Sequence, residues 1–198
     1  TALDLSQLTN LTYLNINESA LTSINLSTNI NLTEVSITLT PVTQIMFSNN
    51  SLIDDLTIAD TQVQNLDLSE LTQLTNLGIV RNPMLASIDI TGSTLLEIIR
   101  IDENAILGSL DLSNNSALIS VDANENAQLV SIDIKNGNNT AIGQTFKVKD
   151  NPMGYTSIAY PVDELRLPEW FKDLPFNDIE MENTVIDEKL KNLIGVLE

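Results

Sequence analysis

Four aspartates recur at intervals of 22 residues: Asp67, Asp89, Asp111 and Asp133. Two positions before them stand Asn65, Ser87, Ser109 and Ser131. A carboxylate repeated at constant spacing suits cation or basic-ligand chemistry. If successive copies lie on neighbouring strands, about 4.8 Å apart, each adjacent pair repels by about 1 kcal/mol in water. A cation or a basic partner strip relieves that repulsion. The competing account is that aspartate keeps a sheet face solvated and discourages stacking on other sheets. Calcium needs several oxygens converging in one loop. The tightest acidic pairs, Asp54-Asp55 and Asp102-Glu103, lack the alternating carboxylates and glycine of a dedicated calcium loop. No metal site is assigned, and any Ca2+ association is expected to be weak.

A second group is irregular. Tyr13, Ile98 and Arg100 are residue types favoured in binding hot spots, and with Asp122 they fall at outward positions of the alternate repeats. They are the candidate contacts for a protein or glycan ligand, set against ordinary drift of surface residues. Catalysis has little to work with. The chain has no His and no Cys, the commonest general base and an intrinsically strong nucleophile. No phosphate-cradling loop is present, no cofactor is implied, and the chain reads as a non-enzyme.

Apart from Asp102 and Glu103, all these residues occupy variable places in one six-residue phrase: apolar, two variable, apolar, one variable, apolar. It occurs twelve times between Leu11 and Ile134, as in LTYLNI, VQNLDL and LGSLDL, starting every 10 or 11 residues. Every position required to be apolar is apolar, and only Phe47 and Ala123 are not Leu, Ile or Val. Such a period is the signature of a solenoid. The last two apolar positions have a strand's period of two, and ten or eleven residues leave no room for a helix. Two short parallel strands per coil of 21–22 residues follow, forming two sheets back to back with aliphatic side chains between them. Asn29, Asn50, Asn82, Asn104, Asn115, Asn126 and Asn151 recur just after the phrases. Asparagine suits tight turns, where its amide bonds nearby backbone and left-handed conformations are tolerated. Stacked, these residues should form a ladder serving backbone groups that the sheets leave over.

Bulk composition narrows the partners. The 198 residues carry 27 acidic and 9 basic side chains, a formal net charge of −18, and the first cation is Arg81. Nucleic acid, whose affinity rests on Lys and Arg at phosphates, is excluded as a partner, as is an anionic membrane surface. No apolar run is long enough for membrane insertion as a helix. Thr1 to Ser6 already reads as the end of a repeat, so upstream sequence, including any signal peptide, is expected.

LTNLGIVRN (Leu74 to Asn82) and LGSLDLSNN (Leu107 to Asn115) carry the LxxLxLxxN core of leucine-rich repeats. The short period, with two such cores per coil, resembles repeats common in secreted and surface proteins of Bacteroidetes-like bacteria. The resemblance covers residues 1–151. It implies a mainly β solenoid, an extracellular or cell-surface location, and binding through an exposed sheet face. Many members carry Cys in the repeat, and this chain has none.

From Pro152 the phrase is lost. Pro168 opens a predicted helix over 168–174 carrying Trp170, Phe171 and Leu174. Thr184 caps a second over 185–197, with Ile186, Leu190, Leu193, Ile194 and Leu197 on one face. Residues 152–198 are expected to be a small, partly helical cap over the last coil. Parts of this segment, NPMGYTSIAYPVDELRLPEWF and MENTVIDEKLKNLIGVLE, resemble the C-terminal end of family B DNA polymerases of tailed phages. That stretch carries no catalytic carboxylate, so the resemblance implies at most a fused or borrowed non-catalytic tail. The leading expectation is a binding or adhesion module. The alternatives are a spacer or stalk without a ligand, and a fragment carrying the polymerase-like tail.

Overall fold

The computed structural model describes residues 3–134, 145–147, 151 and 157–159. Each phrase becomes one short strand, and strands alternate between two walls. One wall holds β1 (Tyr13–Asn17), β3 (Glu34–Thr38), β5 (Asp55–Ala59), β7 (Asn76–Val80), β9 (Ile98–Asp102), β11 (Ser120–Asp122) and β13 (Thr145–Lys147). The other holds β2 (Ser23–Asn25), β4 (Gln44–Met46), β6 (Asn65–Asp67), β8 (Ser87–Asp89), β10 (Ser109–Asp111), β12 (Ser131–Asp133) and β14 (Ser157–Ala159). All pairings are parallel and in register, residue for residue, from coil to coil. The described residues contain no helix.

The core between the walls is the set of apolar phrase positions. All are buried except Leu11, Ile45, Phe47 and Ile88, which pack against the buried cluster. Burial here is collective, because one coil has nothing to pack on without its neighbours.

The walls differ in continuity. The odd-numbered strands form one seven-stranded sheet, β1-β3-β5-β7-β9-β11-β13. The even-numbered strands were expected to form a matching sheet. They form three blocks instead, β2-β4, β6-β8 and β10-β12-β14. The inward isoleucines bordering the two unpaired steps, Ile45 of β4 and Ile88 of β8, are only partly buried. The seven-stranded wall is therefore the tighter of the two.

The corners explain how the walls join. After each odd strand from β1 to β11 one residue turns left-handed: Glu18, Leu39, Asp60, Arg81, Glu103 and Glu125 have φ between 49° and 57°, and after the even strands the exposed Asn49 does so at 59°. None of the buried asparagines takes this conformation. The turning residue precedes the buried polar residue, because that residue's side chain must point inward. The expected ladder is in fact two. After the odd strands run Thr40, Thr61, Asn82, Asn104, Asn126 and Asn151, all buried. Asn82 N–H donates to Asn104 Oδ1 (3.1 Å), Asn104 N–H to Asn126 Oδ1 (2.9 Å) and Asn126 N–H to Asn151 Oδ1 (2.8 Å). Their side-chain amides donate back to carbonyls of the preceding coil, for example Asn104 Nδ2 to Ile79 O at 2.9 Å. After the even strands the second ladder holds Asn29, Asn50, Leu71, Ser93 and Asn115, also buried. Asn50 Nδ2 donates to Leu26 O (3.1 Å) and Asn29 O (2.9 Å). Leu71 has no amide to do this, and the unpaired step between β4 and β6 falls there. The step between β8 and β10 falls where Asn115 keeps both its bonds, to Ile90 O (3.2 Å) and Ser93 O (2.7 Å). The ladder alone therefore does not set the breaks.

Strand β14 pairs with β12, so parallel pairing runs past position 151 into the segment expected to be non-repeat. The helices expected over 168–174 and 185–197 lie outside the described residues.

Candidate functional site

The even wall carries the aspartate column. Asp67 pairs with Asp89, and Asp111 with Asp133, in strand register. The unpaired step between β8 and β10 divides the four into two couples. Three of them also have a local task. Asp67 Oδ1 accepts from Ser69 N–H (3.1 Å) and Ser69 Oγ (2.6 Å), and Asp89 Oδ1 from Thr91 N–H (3.0 Å) and Thr91 Oγ1 (2.7 Å). Asp111 Oδ1 accepts from Ser113 N–H at 2.9 Å. Asn25, in the same column, accepts from Ser27 N–H at 3.0 Å. Each caps the corner that follows its strand, as Asx side chains do. The Ser69 hydroxyl, and then its amide, hold the Asp67 carboxyl below the usual carboxylate range. The Asp-x-Ser/Thr spacing is the sequence signal for this capping role. Among the described residues no three acidic side chains converge as metal ligands would.

The odd wall presents two outward columns from the first and third strand positions. The first runs Tyr13, Glu34, Asp55, Asn76, Ile98 and Ser120; the second Asn15, Ser36, Thr57, Gly78, Arg100 and Asp122. Register brings Ile98, Arg100 and Asp122 together on β9 and β11. Tyr13 stands apart on β1, four strand steps from Ile98, about 19 Å at ordinary strand spacing. Tyr13 is 49% exposed and its hydroxyl accepts from Asn15 Nδ2 at 3.1 Å. Ile98 is 44% exposed. Between them in that column lie Glu34, Asp55 and Asn76, and the neighbouring column, between Asn15 and Arg100, is a floor of small residues, Ser36, Thr57 and Gly78, all half-buried.

The charges are unevenly committed. Residues 3–134 hold sixteen carboxylates and two guanidinium groups. Arg81, in the left-handed corner column, lies between Asp60 of the coil before and Glu103 of the coil after. Its Nε and Nη2 donate to Asp60 Oδ1 and Oδ2, both at 2.8 Å, and Nη1 lies 3.6 Å from Glu103 Oε1. These bonds raise the Arg81 pKa and lower that of Asp60. Arg100 Nε donates to Asp102 Oδ2 at 2.6 Å, which raises the arginine's pKa. Asp102 is buried, and its other oxygen accepts from Asn124 N–H at 2.8 Å. Asn124 Nδ2 in turn donates to Asp122. Both guanidinium groups are thus engaged within the chain. Glu34 and Asp55, neighbours in register, face out beside the floor, and no described cation bridges to them.

Compared with known proteins, the chain is similar to the functional domain of InlJ from Listeria monocytogenes, a domain that includes a cysteine ladder. The TM-score is 0.61 at 26% sequence identity, and the match covers 84% of this chain. The chain spans 38% of the length of that structure. No family model matches the chain, and no curated protein matches it. The likeness and the in-register coils establish a leucine-rich-repeat-like solenoid. The ladders here are built mainly of asparagine and threonine, with Leu71 and Ser93 in the second, in a chain without cysteine.

Proposed function

We propose that this chain is a non-enzymatic binding module, outside the cell or on a bacterial surface, that recognises a protein or glycan through its seven-stranded wall. The observation that carries this reading is the contrast in outward residues. The even wall mostly repeats Asp or Asn as a turn cap, with Met46 the exception, whereas the odd wall changes from coil to coil around an uninterrupted sheet. Variation on a rigid, regular platform is how a scaffold presents a specific surface. The match to a solenoid from a bacterium supports the same reading, as does the resemblance to surface repeats. The aspartates of the even wall serve its corners first, and their association with Ca2+ is weak and non-specific.

The test uses the full chain immobilised against a glycan array and a displayed peptide library. The same screens are run on Thr57→Trp, which fills the odd-wall floor, and on Ser109→Trp on the even wall. The reading expects ligands that are lost with Thr57→Trp and kept with Ser109→Trp. A chain that retains no ligand in either screen, or loses it equally with both variants, is a spacer instead.

A further inference from the structure

Gly78 is out of place for a residue chosen by the fold. It sits mid-strand in β7, at the centre of the most regular sheet, paired in register with Thr57 on one side and Arg100 on the other. There is no bulge and no left-handed φ at this position. A Cβ built on it would meet Thr57 Oγ1 at 3.4 Å, an ordinary contact. Glycine inside a strand weakens it, and often marks a bulge, a bend or a place where a ligand or another backbone approaches closely; the first two are absent here. Gly92 is the internal control. A Cβ there would lie 1.7 Å from Ser69 O, so packing within the solenoid accounts for that glycine.

We propose that the floor around Gly78 receives an extended, lysine- or arginine-bearing segment of a protein partner, its cation held by Glu34 and Asp55. This rests on the binding-module reading and names the chemistry of its partner. Charge sets the class: two adjacent carboxylates border the floor, and both arginines of the described solenoid are tied to carboxylates of their own chain. Shape sets the form. Tyr13 and Ile98 stand as apolar anchors at the two ends of the column beside the floor, the column that holds Glu34 and Asp55, about 19 Å apart at ordinary strand spacing. An extended peptide covers that span in about six residues. A single exposed phenol at one end offers no row of aromatic rings for successive sugars, which favours a peptide over a glycan.

The test is selection of random octapeptides on the full chain, followed by binding of the winners to three variants. Enriched peptides should carry net positive charge with an apolar residue. Their affinity should fall more than tenfold with Gly78→Val and about fivefold with Glu34→Gln plus Asp55→Asn. Asp67→Asn plus Asp89→Asn on the other wall should change affinity less than twofold, which separates docking from general attraction to an acidic protein. Melting of Gly78→Val should be unchanged or higher, so lost binding is not lost folding. Enrichment of neutral or acidic peptides, or binding that survives Gly78→Val, overturns the proposal. Glycans bound in a Gly78-dependent way overturn the peptide partner but keep the binding face. No ligand of either kind removes both.

Discussion

The two walls are written in the same six-residue phrase, yet one is a continuous sheet of mostly five-residue strands and the other is three blocks of three-residue strands. The residue between the last two apolar positions separates them. On the even wall it is mostly Asp or Asn, whose side chain accepts the amide two residues on and turns the chain at once. On the odd wall Asn15, Ser36, Thr57, Gly78 and Arg100 do not make that bond, and the chain stays extended for two more residues before the left-handed corner. β11 is also three residues long, but there the Asn124 N–H goes to Asp102, and Asp122 takes the Asn124 side-chain amide instead. A local hydrogen bond thus competes with strand extension, and one wall is left long enough to act as a platform.

The corners differ in the same sense, and substitution there should give the largest effects. Asn104→Ala orphans the buried Asn82 amide and Ile79 carbonyl, and should destabilise by about 3 kcal/mol or more in urea unfolding. Ser93→Ala on the other corner loses one bond, to Leu71 O, and should lose about 1 kcal/mol. Equal losses would erase the distinction between the corners. Next come the two glycines. Gly92→Ala should cost about 2 kcal/mol, since the clash is with backbone. Gly78→Ala should be neutral or stabilise by up to about 1 kcal/mol.

The aspartate column sharpens the comparison further. Asp89→Ala should cost about 1 kcal/mol by losing its corner bonds, whereas Asp89→Asn, imitating Asn25, should stay within about 0.5 kcal/mol. Equal losses would mean that charge rather than capping keeps aspartate there. The smallest effect is in pH. The carboxyl of Asp67 is depressed by its bonds to Ser69. A depressed folded value means that its stabilisation is present above the unfolded value, about 3.9, and is lost as pH falls through the folded one. Melting of Asp67→Asn should therefore drop less steeply below about pH 4 than that of the parent chain.

Period and phrase made the coil length, the two walls and the aliphatic core legible before any coordinates, because burial at fixed spacing is a repeating constraint. Other features are less directly legible. That the buried asparagines divide into two ladders depends on which wall precedes each. That the left-handed residue after the odd strands is Glu, Leu, Asp or Arg rather than Asn follows from the inward demand on its neighbour, which no propensity records. The separation of Tyr13 from Ile98 and Arg100 is plain once odd phrases are counted as strands: four steps lie between them. Gly78 was legible as an outward residue, but its meaning required knowing that neither φ nor space demands glycine there.

The central claim is that the odd wall and its asparagine corner form one continuous, rigid unit, while the even wall is segmented. Residue-resolved amide hydrogen exchange tests it most directly. The account expects the Asn82 and Asn104 amides, and the strands β5 and β7, to exchange only by global unfolding, and β4 and β8 to exchange faster through local opening. Equal protection of β4 and β8 with β5 and β7, or rapid exchange at Asn82 and Asn104, would contradict it.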